Sequence, residues 1–426
     1  MPLSRYLKIY PDADRPGHVI LYSTKKGSIV RLPEALLTAA ADGTLPEKHR
    51  QTLTRLEMII DDPAAERQEM TALVKRANSR STLFRGTVVL NLKCNLACTY
   101  CYEEGFRGNL QMSEATARTL VDWVVAKHLD QGRDVEIQFY GGEPLLSLPL
   151  VHRISTQLQQ AAASRSRKFS ISMTTNATLL TRAVVQELLP YNFIKAILTL
   201  DGPQEIHDAQ RPFVSGKGSF DAIVTNIKAV HDLVRIDLGG NFTPDNYGAF
   251  PQLLDYLLQE GITPDKLGLV QFSPVTPKSG TGADIGSGCA SGSEPWLREA
   301  AVLLREETLK RGFTSYKPTM AACVIEFDND IVINYDGSLY KCAAFMGWPE
   351  LSVGTLEGGI KDYSVSHNLA VWQNDECLDC TYLPLCFGGC RLNPLLKNGS
   401  INEVDCRREF YDAALEQFVL QDLARR

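Results

Sequence analysis

The sequence predicts an α/β protein: a partial (β/α)6 barrel between a small amino-terminal module and a cysteine-rich carboxyl-terminal region. Three observations carry this. Between Gly86 and Phe272, six apolar runs of strand length alternate with amphipathic stretches of helix length, the pattern of β/α units around a parallel sheet. Residues 1–80 lack that alternation. Beyond the alternating region, seven of the 11 cysteines fall between 323 and 406. The expected domains are 1–80, 84–310 and 311–426.

Composition sets outer bounds. The 426 residues are 44% apolar and 22% charged, ordinary for a globular chain with two or three cores. A net charge of −6 argues against bulk nucleic-acid binding, which needs a basic footprint. No apolar run is long enough to span a bilayer, and Met1-Pro-Leu-Ser-Arg-Tyr6 lacks the apolar core of a signal peptide. The expectation is a cytoplasmic protein without membrane or nucleic-acid partners. Grouped cysteines in a reducing compartment read as metal ligands.

In the first module, His18–Thr24 and Ser28–Leu32 form two apolar-rich runs joined by Lys25-Lys-Gly27, a hairpin signal. Pro33 suits the first position of a helix over 34–41. Helical spacing continues through Leu53, Leu56 and Ile59, and Asp62-Pro63 opens a third helix. Strands are then expected at Thr87–Leu92, Val135–Tyr140, Phe169–Thr174, Ile194–Leu200, Val234–Gly239 and Leu267–Phe272. Helices are expected at Ser113–Leu129 (with Ser113 as cap), Pro149–Ala163, Thr181–Leu189, Ser219–Leu233 and Ala249–Gln259. In such a fold, ligands belong at the carboxyl ends of the strands.

The loop after the first barrel strand reads Asn91-Leu-Lys-Cys-Asn-Leu-Ala-Cys-Thr-Tyr-Cys-Tyr102. Cys94, Cys98 and Cys101 stand at C-x3-C-x2-C spacing and can bind three corners of a cubic iron–sulfur cluster, leaving the fourth iron open. A structural zinc site wants four closed ligands, and no local partner pair supplies the fourth. With Tyr100 as its aromatic residue, this loop resembles the hallmark of the radical S-adenosylmethionine enzymes.

The resemblance implies that the open iron chelates S-adenosylmethionine. It also implies that Gly141-Gly142-Glu143-Pro144, after the second strand, binds the cofactor's amino group. Ser172 and Asn176, on and after the third strand, match positions that contact its ribose and carboxylate. Alone, they read equally as capping or turn residues. Leu200-Asp-Gly-Pro…His207-Asp208…Arg211 resembles the signature of anaerobic sulfatase-maturing enzymes and their peptide-modifying relatives. Arg211 is a candidate for the cofactor carboxylate. His207 is expected to order its loop.

The later cysteines, Cys323, Cys342, Cys377, Cys380, Cys386, Cys390 and Cys406, bracket a hairpin turn at Asn334-Tyr-Asp-Gly337. Their order, with Leu385-Cys-Phe-Gly-Gly-Cys-Arg391, resembles the SPASM extension of radical peptide-modifying enzymes. It implies two auxiliary [4Fe–4S] clusters: one on Cys323, Cys342 and Cys390, the other on Cys377, Cys380, Cys386 and Cys406. Three clusters are thus expected in all. Cys289, in the Gly/Ser-rich loop 276–296, reads either as an incidental thiol or as a displaceable ligand of the first auxiliary cluster. Cys342 is followed by Ala343, where sulfatase-maturing enzymes carry a basic aspartate, so sulfatase activation is not expected.

Residues 1–80 resemble winged-helix leader-recognition elements, which hold a peptide by strand addition; a structural lid or a remnant DNA-binding fold also fits. The whole layout resembles peptide maturases of the sactipeptide, ranthipeptide and geopeptide groups. It implies thioether formation between a cysteine sulfur and a carbon of a ribosomally made precursor peptide, with leader and Cys-containing core. Electrons would come from a flavodoxin or ferredoxin. Carbon–carbon or ether crosslinking, epimerisation, and a non-catalytic iron–sulfur electron-transfer or peptide-binding protein remain alternatives.

Overall fold

The structure is a computed structural model and describes residues 2–101, 103, 105–275 and 294–425. Cys289 lies outside the described residues.

The amino-terminal module is a three-stranded antiparallel sheet, β1 (Leu7–Pro11), β2 (His18–Ser23) and β3 (Ile29–Pro33), followed by α1 (Glu34–Ala41), α2 (Glu47–Arg55) and α3 (Pro63–Arg80). The expected hairpin is β2–β3, turning at Gly27 with φ +64°. The strand β1, an edge strand that ends in Pro11, was not among the expected strands. Asp62 caps α3 by accepting from the Ala64 amide at 2.8 Å.

The barrel strands are β4 (Leu83–Val89), β5 (Asp134–Tyr140), β6 (Phe169–Thr174), β7 (Phe193–Thr199), β8 (Arg235–Phe242) and β9 (Val270–Pro274). They pair in that order, all parallel. Between them run α4 (Glu114–Val124), α5 (Leu148–Ser164), α6 (Arg182–Leu188), α7 (Gln204–Gln210), α8 (Phe220–Val230) and α9 (Phe250–Gln259), and α10 (Pro295–Lys310) follows β9. Ser113 caps α4 through the Thr116 amide at 3.0 Å, and the helix continues as one π turn over Val125–Leu129.

Alternate strand residues, Val135, Ile137 and Phe139 on β5 with Ile171 and Met173 on β6, share one buried core with the helices. The other face is polar. Thr87 donates to Gln138 at 3.4 Å, and Gln138 donates to Thr174 at 3.0 Å.

The first barrel strand begins and ends earlier than expected. Leu90 and Leu92 are apolar because they are buried. Leu90 N–H still donates to Tyr140 O of β5 at 3.0 Å, but Leu90 O and Leu92 N–H turn to the chain around 110–112 (Met112 N–H to Leu90 O, 2.8 Å; Leu92 N–H to Leu110 O, 2.9 Å).

The sheet does not stop at β4. The strand β10 (Asp330–Ile333) adds to it in parallel, then β11 (Ser338–Tyr340), β12 (Gly354–Thr355) and β13 (Gly359–Ile360) extend it antiparallel, giving ten strands. The β10–β11 turn uses Gly337 at φ +86°. The helices α11 (Asp375–Leu378), α12 (Leu383–Cys386), α13 (Leu392–Asn398) and α14 (Arg408–Leu423) complete the described chain. Among the described residues, no helix is long and apolar enough to cross a membrane.

A near-continuous apolar run such as His18–Ser23 needs cover on both faces. Val19 and Leu21 pack on α1 and α2 with Leu53 and Ile59. Ile20 and Tyr22 pack on Leu415, Phe418 and Val419 of α14. The amino-terminal module therefore shares its cores with the carboxyl-terminal region.

Candidate active site

Cys94, Cys98 and Cys101 lie on the loop that leaves β4. Two neighbours fix that loop through backbone hydrogen bonds. On one side, Gly142 N–H donates to Asn91 O at 3.0 Å and Glu143 N–H to Lys93 O at 2.7 Å. On the other, Ala97 N–H donates to Pro212 O at 2.8 Å and Thr99 N–H to Gln210 O at 2.9 Å. The first pairing explains the glycines. Gly141 has φ +145°, and a Cβ there would run into the Asn91 carbonyl; on Gly142 it would meet that of Lys93. The chain they approach is the cysteine loop itself.

Glu143 is fully buried, and its carboxylate faces protein donors rather than the cavity. It accepts from Thr175 Oγ1 at 2.7 Å and from the amides of Asn176 and Leu145 at 2.8 and 3.0 Å. Burial raises its pKa against the pull of these donors. Its part is to tie the ends of β5 and β6 together. Asn176 joins the same frame, donating to Asn95 Oδ1 at 2.8 Å and lying 3.6 Å from the Cys94 sulfur. Ser172 sits lower on β6, buried, 3.4 Å from Glu136. It is not among the residues around the cavity, whereas Thr174, Thr175 and Asn176 are.

That cavity measures about 260 Å³ and is lined by all three cysteines, Tyr100, Gly141, Gly142 and Arg211. The Tyr100 hydroxyl is a hub: it donates to Asp201 and accepts from Arg211 Nη1 at 2.6 Å and Asn241 Nδ2 at 3.0 Å. Asn241 also donates its amide to Asp201 at 2.7 Å. Burial raises the pKa of Asp201, with Arg211 opposing. For Arg211, burial works against the charge, but Tyr100 and Asp201 more than offset it. The arginine is therefore a buried cation, not a surface ion pair.

His207 stands behind this loop, accepting from the Asp201 amide at 3.1 Å and facing Ser219 Oγ at 3.0 Å, which donates to Arg211 O at 2.7 Å. Burial lowers its pKa to about 3, so it orders the loop as a neutral ring. Asn241 had no signal in the sequence beyond its place after a predicted strand, and Asp201 entered only through a resemblance.

The donor set fits the implied group. Three thiols border one cavity, and Arg211 Nε is buried without a hydrogen-bond partner among the described residues. That is a free donor for a carboxylate. Among the described residues, no three His, Cys, Asp or Glu side chains close on a single metal ion.

The later cysteines gather in two places. Cys323 and Cys390 are near enough to Cys342 for each to raise its thiol pKa, after burial, to about 12. Cys377, Cys380, Cys386 and Cys406 line a second cavity of about 290 Å³.

The chain is similar to known proteins in both sequence and fold. Residues 88–257 match the Radical SAM superfamily. The chain is 24% identical over 370 residues to the cysteine-type anaerobic sulfatase-maturating enzyme of Clostridium novyi, covering 78% of this chain and 96% of that one. The serine-type enzyme of Bacteroides thetaiotaomicron is 24% identical over 338 residues, covering 70% and 80%.

Among solved structures, anSMEcpe with bound AdoMet and Kp18Cys peptide superposes with a TM-score of 0.64 at 18% identity, covering 80% of this chain and 99% of that one. Streptococcus suis SuiB bound to precursor peptide SuiA gives 0.53 at 17% identity, covering 95% and 98%. With its cysteine loop, glycine pair and buried arginine on one cavity at the strand ends, the chain carries a radical SAM domain and is a homologue of the anaerobic sulfatase-maturating enzymes.

Proposed function

We propose that the chain is a maturase that installs thioether crosslinks in a ribosomally made precursor peptide. The observation that carries this reading is the spatial grouping of the ten motif cysteines, three on the barrel cavity and seven in two further sets. Cys94, Cys98 and Cys101 would hold a [4Fe–4S] cluster supplying the one electron that splits S-adenosylmethionine into methionine and a 5′-deoxyadenosyl radical. That radical would take a hydrogen atom from a peptide carbon. One of two auxiliary clusters on the later cysteines would accept the electron released, with loss of the thiol proton, when the carbon joins the cysteine sulfur.

The chain's own residues do the rest. Cys94, Cys98 and Cys101 hold one cluster. Gly141 and Gly142 present bare backbone to the cavity, and Arg211 offers a charged donor for the cofactor's carboxylate. Tyr100 and Asp201 keep that donor charged and fixed. Ala343, following Cys342, has no carboxylate to act as the base of a sulfatase-type reaction, which favours a peptide thiol as partner.

The leader would add to the outer edge of β3. Gly17, Val19, Leu21 and Ser23 exchange ladder bonds with residues 34, 32, 30 and 28, so the Arg31 N–H points away from β2. Arg31→Pro removes that donor, whereas Arg31→Ala keeps it. Loss of processing in the first alone supports strand addition; equal processing refutes it.

The main test is co-production with a Cys-bearing peptide, followed by mass analysis. The reading requires loss of two hydrogens together with loss of the alkylatable thiol. Two hydrogens lost with the thiol retained would mean a carbon–carbon or ether link and overturn it.

A further inference from the structure

We propose that the amino-terminal module is the positioning element for Cys377 and Cys380, holding the segment that carries them from outside. The inference rests on the reading that Cys377, Cys380, Cys386 and Cys406 bind one cluster.

The segment has little order of its own. The helix α11 spans four residues, too few to be stable alone. Yet residues of the distant module hold five of its positions between 375 and 382. The Tyr6 hydroxyl donates to Leu378 O at 3.1 Å. Asp379, immediately before Cys380, takes Arg5 and Arg67, and Arg67 also reaches Asp375. Thr24 Oγ1 donates to Thr381 O at 2.7 Å, and Lys8 Nζ donates to the Tyr382 hydroxyl at 2.7 Å. Beneath them, Tyr6, Met70 and Val74 form one buried cluster with Leu378, Leu383 and Phe387. The residue pairs that make this grip lie more than 300 positions apart in sequence.

Half-exposed ion pairs contribute little individually. The two bonds from Tyr6 and Thr24 to main-chain carbonyls are the firmer part of the grip, because removing them leaves one buried and one part-buried acceptor without that donor. The module thus sets the spacing of a C-x2-C pair whose two intervening residues, Leu378 and Asp379, are both in its hold.

The test uses full-length protein with Tyr6→Phe and Thr24→Val combined, substitutions that keep shape and remove only donors. Arg5→Ala with Arg67→Ala forms a second variant. In metal-free protein, alkylation of each cysteine is timed by mass spectrometry. The expected result is about tenfold faster alkylation of Cys377 and Cys380, the size that two such bonds give, with Cys94, Cys98 and Cys342 unchanged. In iron-loaded protein, chelator removes the iron of this set faster, and the reduction potential of one cluster shifts while the others hold. Arg67→Lys, keeping charge but not the fork across two carboxylates, should rescue the arginine variant in part. Unchanged alkylation at 377 and 380, or an equal rise at every cysteine, overturns the proposal. The metal-free arm reads out even if the set proves to bind no cluster, so the two readings fail separately.

Discussion

The chain contains two C-x2-C pairs that the fold holds in opposite ways. Between Cys98 and Cys101 stand Thr99 and Tyr100; between Cys377 and Cys380 stand Leu378 and Asp379. In both, the residue before the second cysteine meets arginine. For Tyr100 the partners are Asp201, Arg211 and Asn241, all buried or half-buried and all from neighbouring barrel strands or the loops after them. For Asp379 they are Arg5 and Arg67, on another module and half in water. A site at the strand ends inherits its geometry from the sheet. A site at a junction has to be held by whatever packs there, and each hold is weaker because solvent screens it.

The largest expected effect is at the first loop. Replacing Cys94, Cys98 and Cys101 together with Ala should reduce 5′-deoxyadenosine formation to background while the carboxyl-terminal sets keep their iron, measured by product assay and metal analysis. Residual cleavage in the triple variant would place the cleaving centre elsewhere.

Gly142→Ala should follow. A Cβ there collides with the Lys93 carbonyl, so the two loops must separate, and a shift of that kind costs roughly a hundredfold in rate. Single-turnover cofactor cleavage measures it.

The third prediction tests the comparison directly. Tyr100→Phe leaves Asp201 and Arg211 each short of a buried partner, at a cost of about 1–3 kcal/mol, hence roughly tenfold to a hundredfold in cofactor cleavage. Asp379→Asn, at the matching position of the exposed pair, should change cleavage less than about threefold. Equal effects would erase the distinction between the two loops.

The last prediction concerns stability against pH rather than cofactor cleavage. The folded-state pKa of His207 is depressed to about 3 from 6.5. Its contribution is therefore complete above 6.5 and is lost as pH falls toward 3, by about 1.4 kcal/mol per unit. Buried His128, also depressed to about 3, contributes in the same direction. In denaturant unfolding of the metal-free protein, His207→Gln should therefore lessen the slope by about 1.4 kcal/mol per unit rather than abolish it.

The barrel was legible because its apolar residues recur with period two and its helices open with caps such as Ser113 and Thr181. Burial beyond the ladder blurred the end of the first strand: Leu90 keeps one bond to Tyr140 of β5, whereas Leu92 bonds Leu110 in a loop clasp. The strand β1 carried Lys8 and Pro11 and escaped notice. At the site, local motifs marked the cysteines and glycines, but not what they touch. The glycines admit neighbouring backbone, Glu143 turns into the wall, and Ser172 lies below the cavity. Asn241 has no pattern around it. The grip on Asp379 was invisible because Arg5, Arg67 and Asp375 read as an ordinary solvated surface, and their pairing spans most of the chain.

The two-sided burial of β2 also has a consequence for how the protein is made. Ile20 and Tyr22 emerge early from the ribosome, yet the helix that covers them, α14, begins at Arg408. At about 5–20 residues per second, that apolar face waits some tens of seconds for its cover. During that interval the module has one finished face and one open to chaperones or to other nascent chains. The Cys377–Cys380 segment emerges more than 300 residues after its anchors. Nascent chains stalled before residue 408 should therefore be cleaved by protease within residues 1–80, and chains carried past 423 should resist.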